Sequence, residues 1–335
     1  MSRAARSQFP GDETALHREG GRSGDTLAPR WRGQPGRLEV WYATVSDPTS
    51  HTGFWLHQEL VSPVQGGAFV HGIVTAFPAK GAPVVARYGP EPVPAARPAG
   101  QIPAAGGVVF DPPRLTGHVG SVAWDLRLDD PGTPGLFTFP AWAWEREALP
   151  AAQVVPVPSA PCAGSITVDG TFLELTEDAR GDVAHIYGHG NAERWGWLHA
   201  ELGRGDVLEV VSAVGRSPGL NRMPPLTFLQ LRLGGTDWPR DPLLAAPLWR
   251  AELGLPTWRL AGTLGRWRLR MQATLPDTHS VAVQYADPDG DTVTCTNSEL
   301  ADAEIVLERR TGRRWEVAEH WQLRRCAHSE IGSRP

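Results

Sequence analysis

Residues 181–201, GDVAHIYGHGNAERWGWLHAE, crowd His185, Tyr187, His189, Glu193, Arg194, Trp195, Trp197 and His199 into one short window. Imidazoles and a carboxyl beside indoles are groups for moving protons on a greasy molecule. An indole is a large flat apolar wall with one N–H donor. A His or Glu partly desolvated against it has its pKa moved toward neutrality, where acid–base chemistry runs. Trp195, Trp197 and His199 alternate, so on a strand they share one face. If that face lines a cavity, the indoles are its wall and His199 its proton handle. The competing reading makes both indoles ordinary barrel core. The chain carries 14 Trp against 3 Met, 4 Tyr and 9 Phe, so indole walls belong to the whole chain and not to this window alone.

Other motifs have plainer readings. Gly215-Arg-Ser217-Pro218-Gly219 matches a serine-hydrolase elbow, but the oxyanion hole needs the N–H of the residue after the serine, and Pro218 has none. Asp287-Pro-Asp289-Gly-Asp291 imitates a calcium loop, yet its sixth position is Thr292 and its twelfth Ser298, so a charged hairpin tip is expected. His185 and His189 lie roughly 13 Å apart if both are on one strand, too far for one metal. No metal site is expected. Thr296-Asn297-Ser298-Glu299 and Ala327-His328-Ser329-Glu330 read as polar clusters at the ends of alternating runs. Asp125, mid-strand, needs a partner, and Arg127 on the same face is expected to supply it.

The elements that must position these residues are strands. With 37 Gly and 31 Pro in 335 residues, long helices are excluded and short alternating runs dominate. Phe54, Leu56 and Leu60 face one way and Trp55, His57 and Glu59 the other. Val122, Trp124, Leu126 and Leu128 share a face. Hairpins are expected at Asp169-Gly170, at 287–291 and at Thr311-Gly312. Residues 78–113 read as a long loop and 146–164 as a linker, while part of 240–253 has helical spacing. The resulting expectation is an all-β chain: a disordered tail over 1–30, one β unit over 31–150 and a second over 160–335.

Composition excludes several functions. A net charge of -5, from 37 acids against 32 bases, carries no nucleic-acid footprint. No run of 18 apolar residues is present, so no spanning helix is expected. The first 30 residues lack the apolar stretch of a secretory signal. Cys162, Cys295 and Cys326 form no CxxC spacing, which points to free thiols in the reducing cytoplasm.

Gly117-His118-Val119-Gly120-Ser-Val-Ala-Trp124-Asp125-Leu, followed by Tyr187-Gly188-His189-Gly190 and Trp195-Gly196-Trp197, resembles the superfamily of tocopherol cyclases, hydroxyneurosporene synthases (carotenoid hydratases) and lipocalin-like Diels–Alderases. Cys295-Thr-Asn297-Ser-Glu299 and Ala327-His328-Ser-Glu330 fit the same pattern. The resemblance spans about 35–335. It implies two lipocalin-like β-barrel or sandwich units with few short helices, a pocket at or between them, and cofactor-free chemistry on large apolar molecules.

The expected function is therefore a cyclase, hydratase or isomerase for a hydrophobic polyprenoid or polyketide, with no cofactor. Glu193 or His199 would be the acid, with His189 and Asn297 beside them. Trp124, Tyr187, Trp195, Trp197 and His328 would hold the substrate. Two alternatives stay open: a carrier with the same pocket and no turnover, and a glycan-active β-protein with two facing carboxylates in an open groove.

Overall fold

Side chains of a strand point alternately to opposite faces, and here both faces of the central strands are apolar enough to be buried. The computed structural model describes residues 26–94, 98–147 and 149–335. It is 60% strand and 7% helix, in two curled antiparallel sheets.

The first sheet holds β1 (Arg37–Asp47), β2 (Thr52–Ser62), β3 (Phe69–Phe77), β4 (Val84–Pro92), β5 (Val109–Asp111), β6 (Arg114–Val119), β7 (Val122–Leu128), β8 (Leu136–Phe137), β9 (Ala151–Val168), β10 (Thr171–Glu174) and β11 (Arg180–Gly188). Their order is β4-β3-β2-β1-β11-β9-β7-β6-β5, with β8 and β10 paired to β9. The second holds β12 (Arg194–Gly203), β13 (Asp206–Val214), β14 (Leu226–Leu233), β15 (Thr236–Trp238), β16 (Trp249–Glu252), β17 (Thr257–Leu264), β18 (Trp267–Thr274), β19 (Val281–Ala286), β20 (Thr292–Thr311) and β21 (Arg314–Ser333). Its order is β15-β14-β13-β12-β21-β20-β18-β17-β16, with β19 paired to β20. Both sheets follow one plan: a four-strand meander whose first strand pairs with the last strand of the unit, β1 with β11 and β12 with β21.

Alternation sorts the side chains into three cores. Trp41, Ala43 and Val45 of β1, with Phe54, Leu56 and Leu60 of β2, fill the curl of the first sheet. Leu198 and Ala200 of β12 fill the curl of the second. The opposite faces of the same strands, with Leu38, Val40, Tyr42, Trp55, Trp195 and Trp197, meet between the sheets. There β1 and β2 pack on β20 and β21, and β9 on β13. Close approach demands glycine at several points, two of them beside the seam residues Glu299 and Trp195. A Cβ on Gly53 would stand 2.7 Å from Glu299 Cβ across the seam, and one on Gly332 would stand 2.1 Å from the Trp195 indole lying over it.

Several expectations need correction. The sheets part at 189–193, between β11 and β12, so the units are 37–188 and 194–333 and not 31–150 and 160–335. The segment 146–164, read as a linker for its prolines, largely belongs to β9; Pro156 and Pro158 fall where the β9–β11 register slips, and bulges tolerate a missing N–H. Residues 78–113 contain β4 and β5. Helix α1 (Ala141–Glu145) is short, and the helix expected in 240–253 shrinks to α2 (Pro242–Ala245), capped by the Asp241 carboxyl accepting from the N–H groups of Leu243 and Leu244. Of the tail, 1–25 lies outside the described residues, but 26–30 is tied down: the Thr26 carbonyl accepts from His185 Nδ1 at 2.6 Å and the Leu27 carbonyl from Trp41 Nε1 at 2.9 Å. Asp125 pairs with Arg114, across on β6, at 3.1 Å, while Arg127 turns to Asp129; both pairs are exposed, so no burial forces the pairing expected.

Candidate functional site

The seam between the sheets holds two cavities in series. Facing side chains of β1 run Leu38, Val40, Tyr42, Thr44, Ser46. The first three line a cavity of about 160 Å³, the last two one of about 340 Å³. Strand β12 divides the same way, Trp195 and Trp197 on the smaller, His199 and Glu201 on the larger. Three rings stand between them. Tyr42 meets Trp197 edge-on with centroids 4.4 Å apart, Trp197 lies 4.1 Å from His328, and Tyr42 stacks 6.4 Å from His328.

The wall of the larger cavity is rich in titratable groups. His328 Nδ1 lies 2.6 Å from Glu299 Oε1, both fully buried. Burial holds the Glu299 carboxyl well above the usual carboxylate range, against the pull of His199. Burial also pushes the His328 imidazole down to about 4, against the charges of Glu330 and Asp182. Near neutral pH the pair is therefore uncharged: the Glu299 O–H donates to Nδ1, and the imidazole proton resides on Nε2, which has no protein partner.

A charged pair lies beside it. Burial pushes His199 down, but Asp182 and the hydrogen bond to Glu209 outweigh it and raise the imidazole to about 9. His199 Nδ1 donates to Glu209 Oε2 at 2.8 Å, and its Nε2 stands 3.6 Å from Asp182 Oδ1. Burial raises Asp182 to about 6, against the lowering by His199 and by the Thr44 hydroxyl that bonds its Oδ1; Oδ2 has no protein partner. Glu209 ties the sheets together, its Oε1 accepting from Trp197 Nε1 and from Gln153 Nε2 of β9, each at 2.6 Å. On the smaller cavity, Glu59 sits between His57 and His71 at 2.8 and 2.7 Å. Burial raises its carboxyl, and these hydrogen bonds overcome that and leave it at about 2. Glu330 accepts there from Trp195 Nε1 at 2.6 Å and from Cys295 Sγ at 3.3 Å.

Of the residues expected from the sequence, the fold brings Trp195, Trp197, His199 and His328 to the seam. Asn297, buried, flanks it on β20, and neither polar atom of its side chain has a hydrogen-bond partner among the described residues. Four others are elsewhere. Glu193 lies in the turn between the sheets, 35% exposed, with Arg334 at 4.0 Å. His189 is exposed against Arg37 at 3.0 Å. Tyr187 packs under the Arg30 guanidinium, 5.5 Å from its ring, in a separate cluster. Trp124 faces into the curl of the first sheet, 5.5 Å from Phe54. His189 and Glu193 fall in the turn at 189–193, Tyr187 is on the face of β11 opposite to Ala184 and Ile186 of the seam, and Trp124 is on β7, outside this window.

Sequence reasoning missed Tyr42, Asp182, Glu209, Glu299 as an acid, and the Glu59–His57–His71 group. Asp182 and Glu209 shared one readable signal, a lone acid in a run that is otherwise mostly apolar.

A family model described as tocopherol cyclase-like matches residues 141–333. The chain is 48% identical over 307 residues to Rv0493c, an uncharacterized protein of Mycobacterium tuberculosis, covering 91% of this chain and 89% of that one. Two solved structures share the fold. CghA, crystallised with Sch210972, superposes with a TM-score of 0.58 at 14% identity, covering 92% of this chain and 97% of that one. Kievitone hydratase from Nectria haematococca superposes with a TM-score of 0.52 at 11% identity, covering 87% and 88%. Among the described residues no helix is long and apolar enough to cross a membrane.

Proposed function

This chain belongs to the tocopherol cyclase-like family, and on that footing we propose that it is a cofactor-independent cyclase or hydratase acting on a hydrophobic polyprenoid or polyketide held in the seam. The observation that carries the reading is the buried 2.6 Å contact between Glu299 and His328, with His328 and the Asp182 carboxyl on the wall of the larger cavity. His328 Nε2–H gives its proton to an alkene carbon, and Glu299 hands its own proton to Nδ1, so the imidazole never becomes an anion. A hydroxyl of the substrate, or water, attacks the cation that forms. Its proton passes to Asp182 and thence to His328 Nε2, whose Nδ1 proton returns to Glu299, so both groups recover their starting forms. Cyclisation leaves the formula unchanged, and hydration adds one water. His199, as a cation between Asp182 and Glu209, holds Asp182 ionised for that step. Trp197, standing between the two cavities, gives the cation an indole wall. The expected setting is the cytoplasm, in keeping with free thiols at Cys162, Cys295 and Cys326.

The test uses the purified protein with prenyl quinols, carotenes and an apolar extract of its own host, read by mass spectrometry. Wild type is expected to yield an isomer or a product heavier by one water. Glu299→Gln and His328→Gln are expected to bind the same molecule and convert it at least 100-fold more slowly, the scale of a lost general acid. A molecule bound and released unaltered by all three proteins would make this a carrier and overturn the proposal.

A further inference from the structure

The smaller cavity, at about 160 Å³, is too small to enclose a large ligand whole; pockets that do so run to roughly 300–1,000 Å³. Its walls, Leu38, Val40, Trp195, Val211 and Ala213, are apolar, and its acids Glu59 and Glu330 are already engaged by His57, His71, Trp195 and Cys295. The larger cavity holds the proton-active groups. The two follow one another along β1 and β12, with only the rings of Tyr42, Trp197 and His328 between. Two of those rings are tethered, Trp197 through Nε1 to Glu209 and His328 through Nδ1 to Glu299, each at 2.6 Å. The third is not: the Tyr42 hydroxyl is fully buried with no protein partner, so packing alone holds that ring in place.

We propose that the smaller cavity is the tail subsite of the same site, that it takes the apolar chain end of an elongated ligand whose polar end stays in the larger cavity, and that Tyr42 is the side chain that yields to admit the tail. The inference rests on the seam being the ligand site, as in the function proposed above. Tyr42 and the small walls Ala213 and Val211 then set the chain length accepted. Each methylene buried is worth about four-fold in affinity, so affinity climbs with chain length until the subsite is full and stops there.

The experiment measures displacement of the fluorophore N-phenyl-1-naphthylamine by decanol, tetradecanol and octadecanol. For the wild type, affinity is expected to rise along the series and level off. Ala213→Phe fills the subsite from its far wall. It is expected to weaken octadecanol about ten-fold or more and to leave decanol within about two-fold. Tyr42→Ala removes the barrier and is expected to strengthen octadecanol relative to decanol. Should one variant not fold, the other still decides. Equal loss of short and long chains in Ala213→Phe, or no change in either, overturns the subsite. Only binding is read, so loss of turnover in the Glu299 and His328 variants bears on the acid chemistry and not on the subsite.

Discussion

Glu209→Gln is the substitution whose consequence the geometry specifies most closely. Oε1 accepts from Trp197 and Gln153, and a glutamine amide oxygen can take over both bonds. Oε2 accepts from His199 Nδ1 at 2.8 Å, and there the new NH₂ would meet an N–H, donor against donor. His199 relieves the clash by losing its proton. In the wild type, burial pushes His199 down, and Asp182 together with Glu209 raises it to about 9 from an ordinary 6.5. A folded value above the unfolded one stabilises the protein fully below pH 6.5, and the gain disappears as pH rises through about 9. The full shift is worth about 3 kcal/mol at about 1.4 kcal/mol per unit. Asp182 must be kept out of the measurement. Burial raises it from 3.8 to about 6, so its share of stability is present below 3.8 and is gone once pH exceeds about 6. The buried thiols of Cys162, Cys295 and Cys326 are also raised, by burial, and lose stability as pH passes about 9 in wild type and variant alike, so the difference between the two proteins in urea unfolding from about pH 7 to about pH 10 isolates His199. Wild type is expected to lose about 2 kcal/mol more than Glu209→Gln across that window. A wild type whose stability is flat from about pH 7 to 10, or a variant that falls as steeply, would refute the reasoning.

Two further outcomes follow from positions on either side of the seam. Gly332→Ala puts a methyl 2.1 Å from the Trp195 indole and is expected to cost about 1–3 kcal/mol, with a shift in tryptophan emission as the ring moves; thermal unfolding within about half a kcal/mol of wild type would mean the indole is not pinned there. Glu193→Gln is expected to keep turnover within about two-fold, because the carboxyl is at the turn, 35% exposed; a loss on the scale of Glu299→Gln would return Glu193 to the chemistry.

The strands were legible because alternation is a local signal. At 53–60, Phe54, Leu56 and Leu60 were separable from Trp55, His57 and Glu59 by spacing alone, and the structure buries the two sets in different cores. Which core each set enters was not legible. Trp124 and Trp197 are both indoles in alternating runs, each lying beside a strand glycine, yet one fills a curl and the other the seam. That choice depends on the direction in which each sheet curls, which pairing between distant strands decides. Pro-rich 146–164 misled for a related reason: proline excludes a regular central strand, but not one whose register slips at the prolines.

The acid–base site was half legible, and the missing half shows what a window of sequence leaves out. His199 was readable beside Trp195 and Trp197. Asp182 is 17 residues earlier on a strand of the other sheet, Glu209 is on the next strand, and Glu299 and His328 lie about a hundred residues on. They converge because both units close by the same rule, first strand on last. That closure sets β11 beside β1 and β21 beside β12, and seats β1 against β21 where the sheets face each other. The repeat that builds the site is a repeat of strand order, with no matching residues to reveal it. A lone acid within an otherwise mostly apolar strand, as in GDVA and VLEVV, was the trace the sequence retained. Such a charge is costly to bury without partners, so two of them imply a shared polar site even before its members can be paired.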